Sequence, residues 1–408
     1  MKILHTSDWH IGHRLQLQDR TEEHKNFFHW LIQTINKEEV DVLIVSGDIF
    51  DIGYPSNQML HLYYHFLLEL KDSFCKRVII TGGNHDQAST LNAPKEILKA
   101  LNIDIVGGMP NEMEKEIIRI ETSNPERPLV IIATPFLRDR EIRKSSPGES
   151  FETKMKATAL GIATHYREAV DHILEDNTIS PTIIAMGHLL VTGVSMSDSE
   201  REIHIGSLQG VPIDKFPPEI DYFALGHIHR PQKIQGNDHI RYCGSPIPLS
   251  FSEHKDIKKV ILVDIDDSDG NISTKELETP KLRYWKRTKG TLAEVQLTLQ
   301  QHQSELEKKD WFEIQVIEPT YDPNIISTYE SWLESERETD QYKIIKESLQ
   351  FDQNENITSE RDQYTKDLSE MTIKEVFTSL IVDKGIEDDE LLLQTLNELL
   401  QDNPTLLD

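Results

Sequence analysis

The chain has 408 residues, 37% of them apolar and 28% charged, with a net charge of −27. That length accommodates one large core with an appended module, or two to three domains, and no stretch approaches the run of about eighteen apolar residues needed for a membrane span. Charge spread evenly at this level would argue against a nucleic-acid partner, but residues 341–408 hold sixteen Asp and Glu against six Lys and Arg, so the tail alone supplies −10.

Bound divalent cations would offset part of the remaining negative charge. Cys75 and Cys243 are the only cysteines, enough for one disulfide and no framework; cytoplasmic thiols are therefore expected. The opening MKILHTSDWH lacks the basic stretch and long apolar segment of a secretory leader, so none is expected.

Apolar runs that end in polar, Gly-containing loops recur along the first 265 residues: KILHTSD (2–8), VDVLIVSGD (40–48), KRVIITGGNHD (76–86), PLVIIATP (128–135), PTIIAMGH (181–188), IDYFALGHIH (220–229) and KKVILVDID (258–266). Their β-branched content and their Gly, Asp or Pro boundaries predict buried strands. Segments of helical spacing lie between them at 21–38, 57–72 and 153–176. The alternation predicts an α/β sheet covered on both faces, with right-handed crossovers. Ligands of such sheets collect beyond the carboxyl ends of the strands, which is where the polar residues fall. Residues 281–335 then read as a βαβ-like satellite, and 340–360 as a polar linker or exposed helix. The stretches 371–385 and 388–401 have the pattern of two amphipathic helices that need a partner surface. The expected division is 1–275 for the main domain, 276–338 for a small α+β cap and 339–408 for a helical, partner-binding region.

The strand ends supply Asp8 and His10 (SDWH), Asp48 (GDIFD), Asn84, His85 and Asp86 (GNHD), His188 (GH), and His227 and His229 (GHIH). Each alone is an ordinary loop residue. Together they form an oxygen-and-nitrogen donor set without sulfur, suited to divalent manganese, iron or zinc. Seven such ligands exceed the needs of one ion and suit two, the arrangement that clamps phosphorus for in-line attack.

The ordered motifs resemble those of the calcineurin-like metallophosphoesterase superfamily. Within it, SDWHIGH, the segment RYCGSPIPLSFSE (241–253) and the satellite with its trailing helices resemble the SbcD family of nuclease subunits, kin to the double-strand-break repair nucleases. The resemblance implies central β-sheets flanked by helices, a capping domain, and C-terminal helices that dock on an SbcC-type ATPase. It also implies a homodimer acting on DNA in repair, recombination and replication, with two Mn2+ ions as cofactors. One ion would be held by Asp8, His10, Asp48 and His229, the other by Asp48, Asn84, His188 and His227, with Asp48 bridging.

The ligand count leaves His85 over, and it is expected to stabilise the transition state or protonate the leaving oxygen. Asp86 is expected to accept a hydrogen bond from its imidazole, or else to cap the following segment. Gly82 and Gly83 would allow the close approach that aims neighbouring side chains at one ligand. Asp51 is given no ligand role. His13 and Arg14, past the first motif, and Arg138 and Arg140, in a run interrupted by Asp139 and Glu141, are candidate DNA-phosphate contacts. Two other readings stand beside the nuclease: a phosphodiesterase or phosphatase for small molecules or phosphoproteins, and an inactive scaffold. The latter has no use for a desolvated cluster of carboxylates and imidazoles.

Overall fold

The computed structural model describes residues 1–143, 148–175, 179–200 and 210–351. The expected helices at 371–385 and 388–401 lie outside the described residues. Residues Met1–Ile317 and Pro323–Gln350 form one compact unit.

All seven predicted strands form, and they divide between two central sheets flanked by helices, as the resemblance implies, rather than the one sheet covered on both faces that the alternation alone suggests. One six-stranded sheet runs in the order Ile272–Glu278, Lys259–Ile265, Lys2–Thr6, Val42–Ser46, Arg77–Thr81, Ile103–Val106. The other runs Gln232–Ile234, Asn237–Tyr242, Tyr222–Gly226, Thr182–His188, Leu129–Ala133, Ile117–Ile120. The sheets face each other, and each carries helices on its outer face only. The two-residue period of the strands shows why. Val42 and Ile44 meet Ile184, Met186, Tyr222 and Ala224 between the sheets, while Leu43 and Val45 turn outward to Phe27, Phe28, Leu31 and Phe66 of the helices Thr21–Glu38 and Asn57–Leu70. On the far side Ile183, Ala185, Phe223 and Leu225 pack against Tyr166, Ala169 and Val170 of the helix Phe151–Leu174. A strand apolar at every position fits either arrangement, so the apolar runs alone did not distinguish them.

The strands Lys2–Thr6, Val42–Ser46 and Arg77–Thr81 are parallel, as are Leu129–Ala133, Thr182–His188 and Tyr222–Gly226. Their carboxyl ends therefore gather their loops, and the GNHD, SDWH and GH motifs sit there. The broad apolar face of the Asn57–Leu70 helix is spent inward, with Tyr63, Phe66, Leu67 and Leu70 buried. His61, His65 and Leu68 remain exposed.

The cap is a three-stranded sheet in the order Trp285–Gly290, Asp310–Glu318, Tyr342–Phe351. Its helices Leu292–Gln300 and Pro323–Glu336 pack on it through Val295, Leu299, Tyr329 and Leu333. The first is started by a capping box in which Thr291 and Glu294 satisfy each other's backbone N–H. Two expectations change here. Residues 342–351 are a strand rather than a linker or helix, because Tyr342 and Ile344 turn into the cap core while Ile345, the next residue along, packs with Trp285 and Trp311 on the other face. The boundary placed after 275 falls inside the strand Ile272–Glu278, which pairs with Lys259–Ile265 along its whole length.

A buried aromatic joint fixes the cap to the main unit. Trp285 and Trp311 of the cap pack with Phe251 and with Leu15 of the hairpin that follows the first motif. Arg20, 1% exposed, lies 4.6 Å over Trp285, and Arg283 lies 4.4 Å over Trp311. Glu23 pairs with Arg20 and stands 3.6 Å from Arg283, so both guanidinium groups are compensated where they leave water. Trp285→Ala should lower the unfolding free energy by about 3–5 kcal/mol, read by urea denaturation. A loss below about 1 kcal/mol would show that the cap does not depend on this joint.

Candidate metal centre

The first motif is set by Trp9. Its indole packs edge-on against Phe28 and Phe66, with ring centroids at 5.0 and 5.4 Å, and donates to Thr6 Oγ1 at 3.0 Å. With Trp9 anchored among the helices, Asp8 and His10 on either side turn the other way. Both take left-handed backbone conformations, φ 53° and 45°, as do Asp48 at 49° and His227 at 99°. Such positions cost on the order of 1–3 kcal/mol each and persist where surrounding contacts enforce them. Here Asp8 N donates to Gly47 O, and His10 N to Asp48 O, both at 3.0 Å, zipping the first loop to the second.

Space is made by glycine. A Cβ on Gly83 would stand 2.1 Å from Asp48 Oδ1, and one on Gly226 would stand 1.9 Å from Ser46 O. The GNHD loop thus passes directly over the Asp48 carboxylate, whose Oδ1 accepts His85 N at 2.9 Å. Its other oxygen, Oδ2, lies 3.4 Å from His10 Nε2 and 3.3 Å from His188 Nε2. Asp48 therefore stands between one histidine from each sheet, as a bridging carboxylate must.

Around it, Asp8 Oδ1 accepts His227 N at 2.9 Å, and His188 Nε2 lies 2.8 Å from Asn84 Oδ1. His10 Nε2 and His229 Nε2 approach to 3.2 Å. The rings of His188 and His227 are 5.5 Å apart. Ligand atoms of Asp8, His10 and His229 converge within 4.8 Å, as do those of Asp8, Asp48 and His188, so Asp8 belongs to both groups. The structure thus brings the seven expected ligands to one place.

The far nitrogens of three histidines are held from outside. His10 Nδ1 lies 3.2 Å from Asp51 Oδ1, His188 Nδ1 donates to Ser46 O at 3.0 Å, and His229 Nδ1 lies 2.6 Å from Ser199 Oγ. Each ring so fixed turns Nε2 toward the centre, the usual outer support of a metal-bound imidazole. Two buried carboxylates, imidazoles with their inner nitrogens converging, and no thiolate fit divalent cations.

The expected role of Asp86 is corrected. Its carboxylate accepts Gly83 N and Ile49 N on Oδ2, at 2.9 and 3.0 Å, and Phe50 N on Oδ1 at 3.0 Å, tying the second and third loops together. His85 Nδ1 instead donates to the backbone oxygen of Asp51 at 2.8 Å. The backbone N–H groups left over at two loop ends competed for the carboxylate and won. Asp51, passed over in the sequence, supports two histidines, one through its side chain and one through its backbone. A carboxylate three residues past the bridging one was the available signal; the backbone contact leaves none.

The candidate DNA contacts do not enter the centre. Arg14 and Arg140 are exposed, and Arg138 faces Glu141 at 4.0 Å. His13 is driven down to about 3 by burial and by Arg20, so its imidazole is neutral and no phosphate cation.

Electrostatics follow from burial. Burial lifts the Asp8 carboxyl to about 7, with Asp48 adding to it and His188 opposing. Burial also acts on Asp48, but the charge and hydrogen bond of His188 outweigh it and hold that carboxyl well below its usual range. His188 is in turn raised to about 9, because Asp48 and Asp8 overcome its desolvation. Burial and the His10 charge hold His229 neutral.

Residues 1–231 match the family model described as calcineurin-like phosphoesterase. The chain is 34% identical over 393 residues to the SbcD subunit of the SbcCD nuclease of Escherichia coli (strain K12), covering 96% of this chain and 95% of that one. It is 35% identical over 260 residues to the protein of that name from Rhodobacter capsulatus, covering 62% and 64% of the two chains. For the Bacillus subtilis protein of that name the identity is 30% over 269 residues, covering 65% and 66%. The chain belongs to the calcineurin-like phosphoesterases and, among them, to the SbcD family.

Without ions the folded protein retains protons on Asp8 up to about 7 and on His188 up to about 9. The unfolded chain releases them near the ordinary values of 3.8 and 6.5. More protons are bound when folded, so the stability due to these groups falls as pH rises through those windows. Cations displace the same protons, so their stabilisation grows over the same range. The rise in Tm produced by Mn2+ should be larger at about pH 8.5 than at about pH 5.5. Equal rises, followed by calorimetry, would contradict this account of the centre.

Proposed function

We propose that this chain is the nuclease subunit of an SbcC-type complex, a Mn2+-dependent exonuclease and endonuclease that hydrolyses phosphodiester bonds at DNA ends and hairpins in repair and recombination. The observation that carries the reading is Asp48 Oδ2, set 3.4 and 3.3 Å from histidines of the two sheets. The nuclease relative aligned over 96% of this chain supports the substrate class. Among the described residues no helix is long and apolar enough to cross a membrane, and a cytoplasmic site of action is part of the proposal.

Asp8, His10, Asp48 and His229 would hold one ion, and Asp48, Asn84, His188 and His227 the other. Two such ions supply a water of lowered pKa and neutralise charge on the phosphoryl oxygens. His85 is assigned to the leaving oxygen. Its Nδ1 proton is committed to Asp51 O, so the proton it exchanges is the one on Nε2. Its ring stands edge-on to His10 at 4.6 Å, beside the ligands. Asp86 serves by holding the GNHD loop in place.

We assign catalysis to the two-sheet unit, coverage of the site to the cap, and docking on the ATPase to residues 352–408. The homodimer is part of the same proposal; of the 56–72 segment, His61, His65 and Leu68 remain exposed for contact.

His85→Gln should reduce cleavage about 10²- to 10⁴-fold while both ions stay bound by elemental analysis. Loss of an ion would make His85 a ligand. A chain ending at residue 351, where the third cap strand closes, should hydrolyse a small phosphodiester normally but no longer bind the ATPase. Full ATPase binding would remove the docking assignment. The function itself is tested with Mn2+ on linear duplex and hairpin DNA, with and without the ATPase. Cleavage confined to nucleotides or phosphoproteins would leave only a phosphoesterase.

A further inference from the structure

The segment RYCGSPIPLSFSE has no part in the reaction above, yet its last residue, Glu253, is wholly buried. Glu253 Oε2 pairs with the ammonium of Lys258, which is 3% exposed, and accepts Leu249 N at 3.2 Å. Lys258 Nζ also donates to His229 O at 2.8 Å, and Glu200 Oε1 accepts His229 N at 2.9 Å, so the backbone of His229 is gripped on both sides. The ring is reached through Ser199, whose hydroxyl lies 2.6 Å from His229 Nδ1 and 2.6 Å from Glu253 Oε1.

A serine hydroxyl has one proton to give. A carboxylate beside an ammonium only accepts, so the 2.6 Å contact takes that proton to Glu253, and the serine oxygen, with Ser197 Oγ also 2.8 Å away, is left to accept from His229 Nδ1–H. His229 Nε2 is then the nitrogen with the lone pair, and it is the one 3.2 Å from His10 Nε2. The second histidine group is oriented otherwise, since His188 Nδ1 donates to Ser46 O, a backbone atom.

We propose that Ser199 is a positioning residue for one of the two metal sites: relayed from Lys258 through Glu253, its hydroxyl fixes His229 with Nε2 facing the ion shared with Asp8, His10 and Asp48. This rests on the two-metal reading. The relay gives the SFSE segment a task in the centre, although its residues touch neither ion nor substrate. It also makes the two sites unequal, because a side chain supports the histidine of one and the backbone supports that of the other.

The test is a calorimetric titration of Mn2+ into the metal-free, full-length protein. In Ser199→Ala one site should weaken about 10- to 100-fold, with the other within about 3-fold of wild type. Ser199→Thr, which keeps the hydroxyl, should restore the first site, and the Tm of the ion-free variants should stay near that of wild type. Equal weakening of both sites, no weakening of either, or failure of threonine to rescue would overturn the proposal. A wild type that binds a single ion would overturn the two-metal reading instead. The role of Ser199 would then stand or fall on whether Ser199→Ala weakens that ion.

Discussion

Asp8 and Asp48 are carboxylates with 0% and 1% of their surface in water, and the rest of the main unit is arranged around that fact. An ionised carboxylate out of water costs several kcal/mol unless charge and hydrogen bonds replace its solvation. Part of that replacement comes from the protein itself. Asp8 takes the His227 backbone N–H and the Ser7 hydroxyl, and Asp48 takes the His85 N–H and faces two imidazoles. Without cations the balance is still unfavourable enough to lift Asp8 to about 7. Cations complete the charge balance that the fold leaves open.

That demand explains the architecture. No single sheet surrounds a point at its strand ends. Two sheets face to face do, with Asp8, Asp48 and Asn84 from one and His188, His227 and His229 from the other. Loops must then cross at van der Waals distance, which removes the Cβ at Gly83 and Gly226 and bends Asp8, His10, Asp48 and His227 into left-handed conformations. The cap rests on Leu15 and Arg20, five and ten residues past His10, so the chain that leaves the first loop is also the joint on which the cap is mounted.

Much of this was legible in the sequence, for a physical reason. Donor residues at strand ends combine a pattern of period two with a chemical type, and both survive in one dimension. The residues gathered at the centre, the helices near 21–38 and 57–72 and the seven main strands were readable for that reason. The pairing of strands into two sheets was not, because VLIVS is apolar on both faces in either case. The short polar strands QKI, at the edge of the second sheet, and NDHIRY beside it carry too little pattern to be seen. Among site residues, contacts to backbone atoms and contacts between residues far apart in the chain were invisible. Asp86 is adjacent to His85 yet holds three backbone N–H groups elsewhere. Ser199 reaches His229 across thirty residues, and neighbours so far apart in the chain leave no spacing to read.

In the proposed centre Asp48 joins two metal ions between the sheets. Anomalous scattering from crystals grown with Mn2+ tests it most directly. The account predicts two peaks roughly 3.5–4 Å apart, one among Asp8, His10 and His229, the other among Asn84, His188 and His227, with Asp48 touching both. A single peak, or two peaks that do not share Asp48, would contradict it.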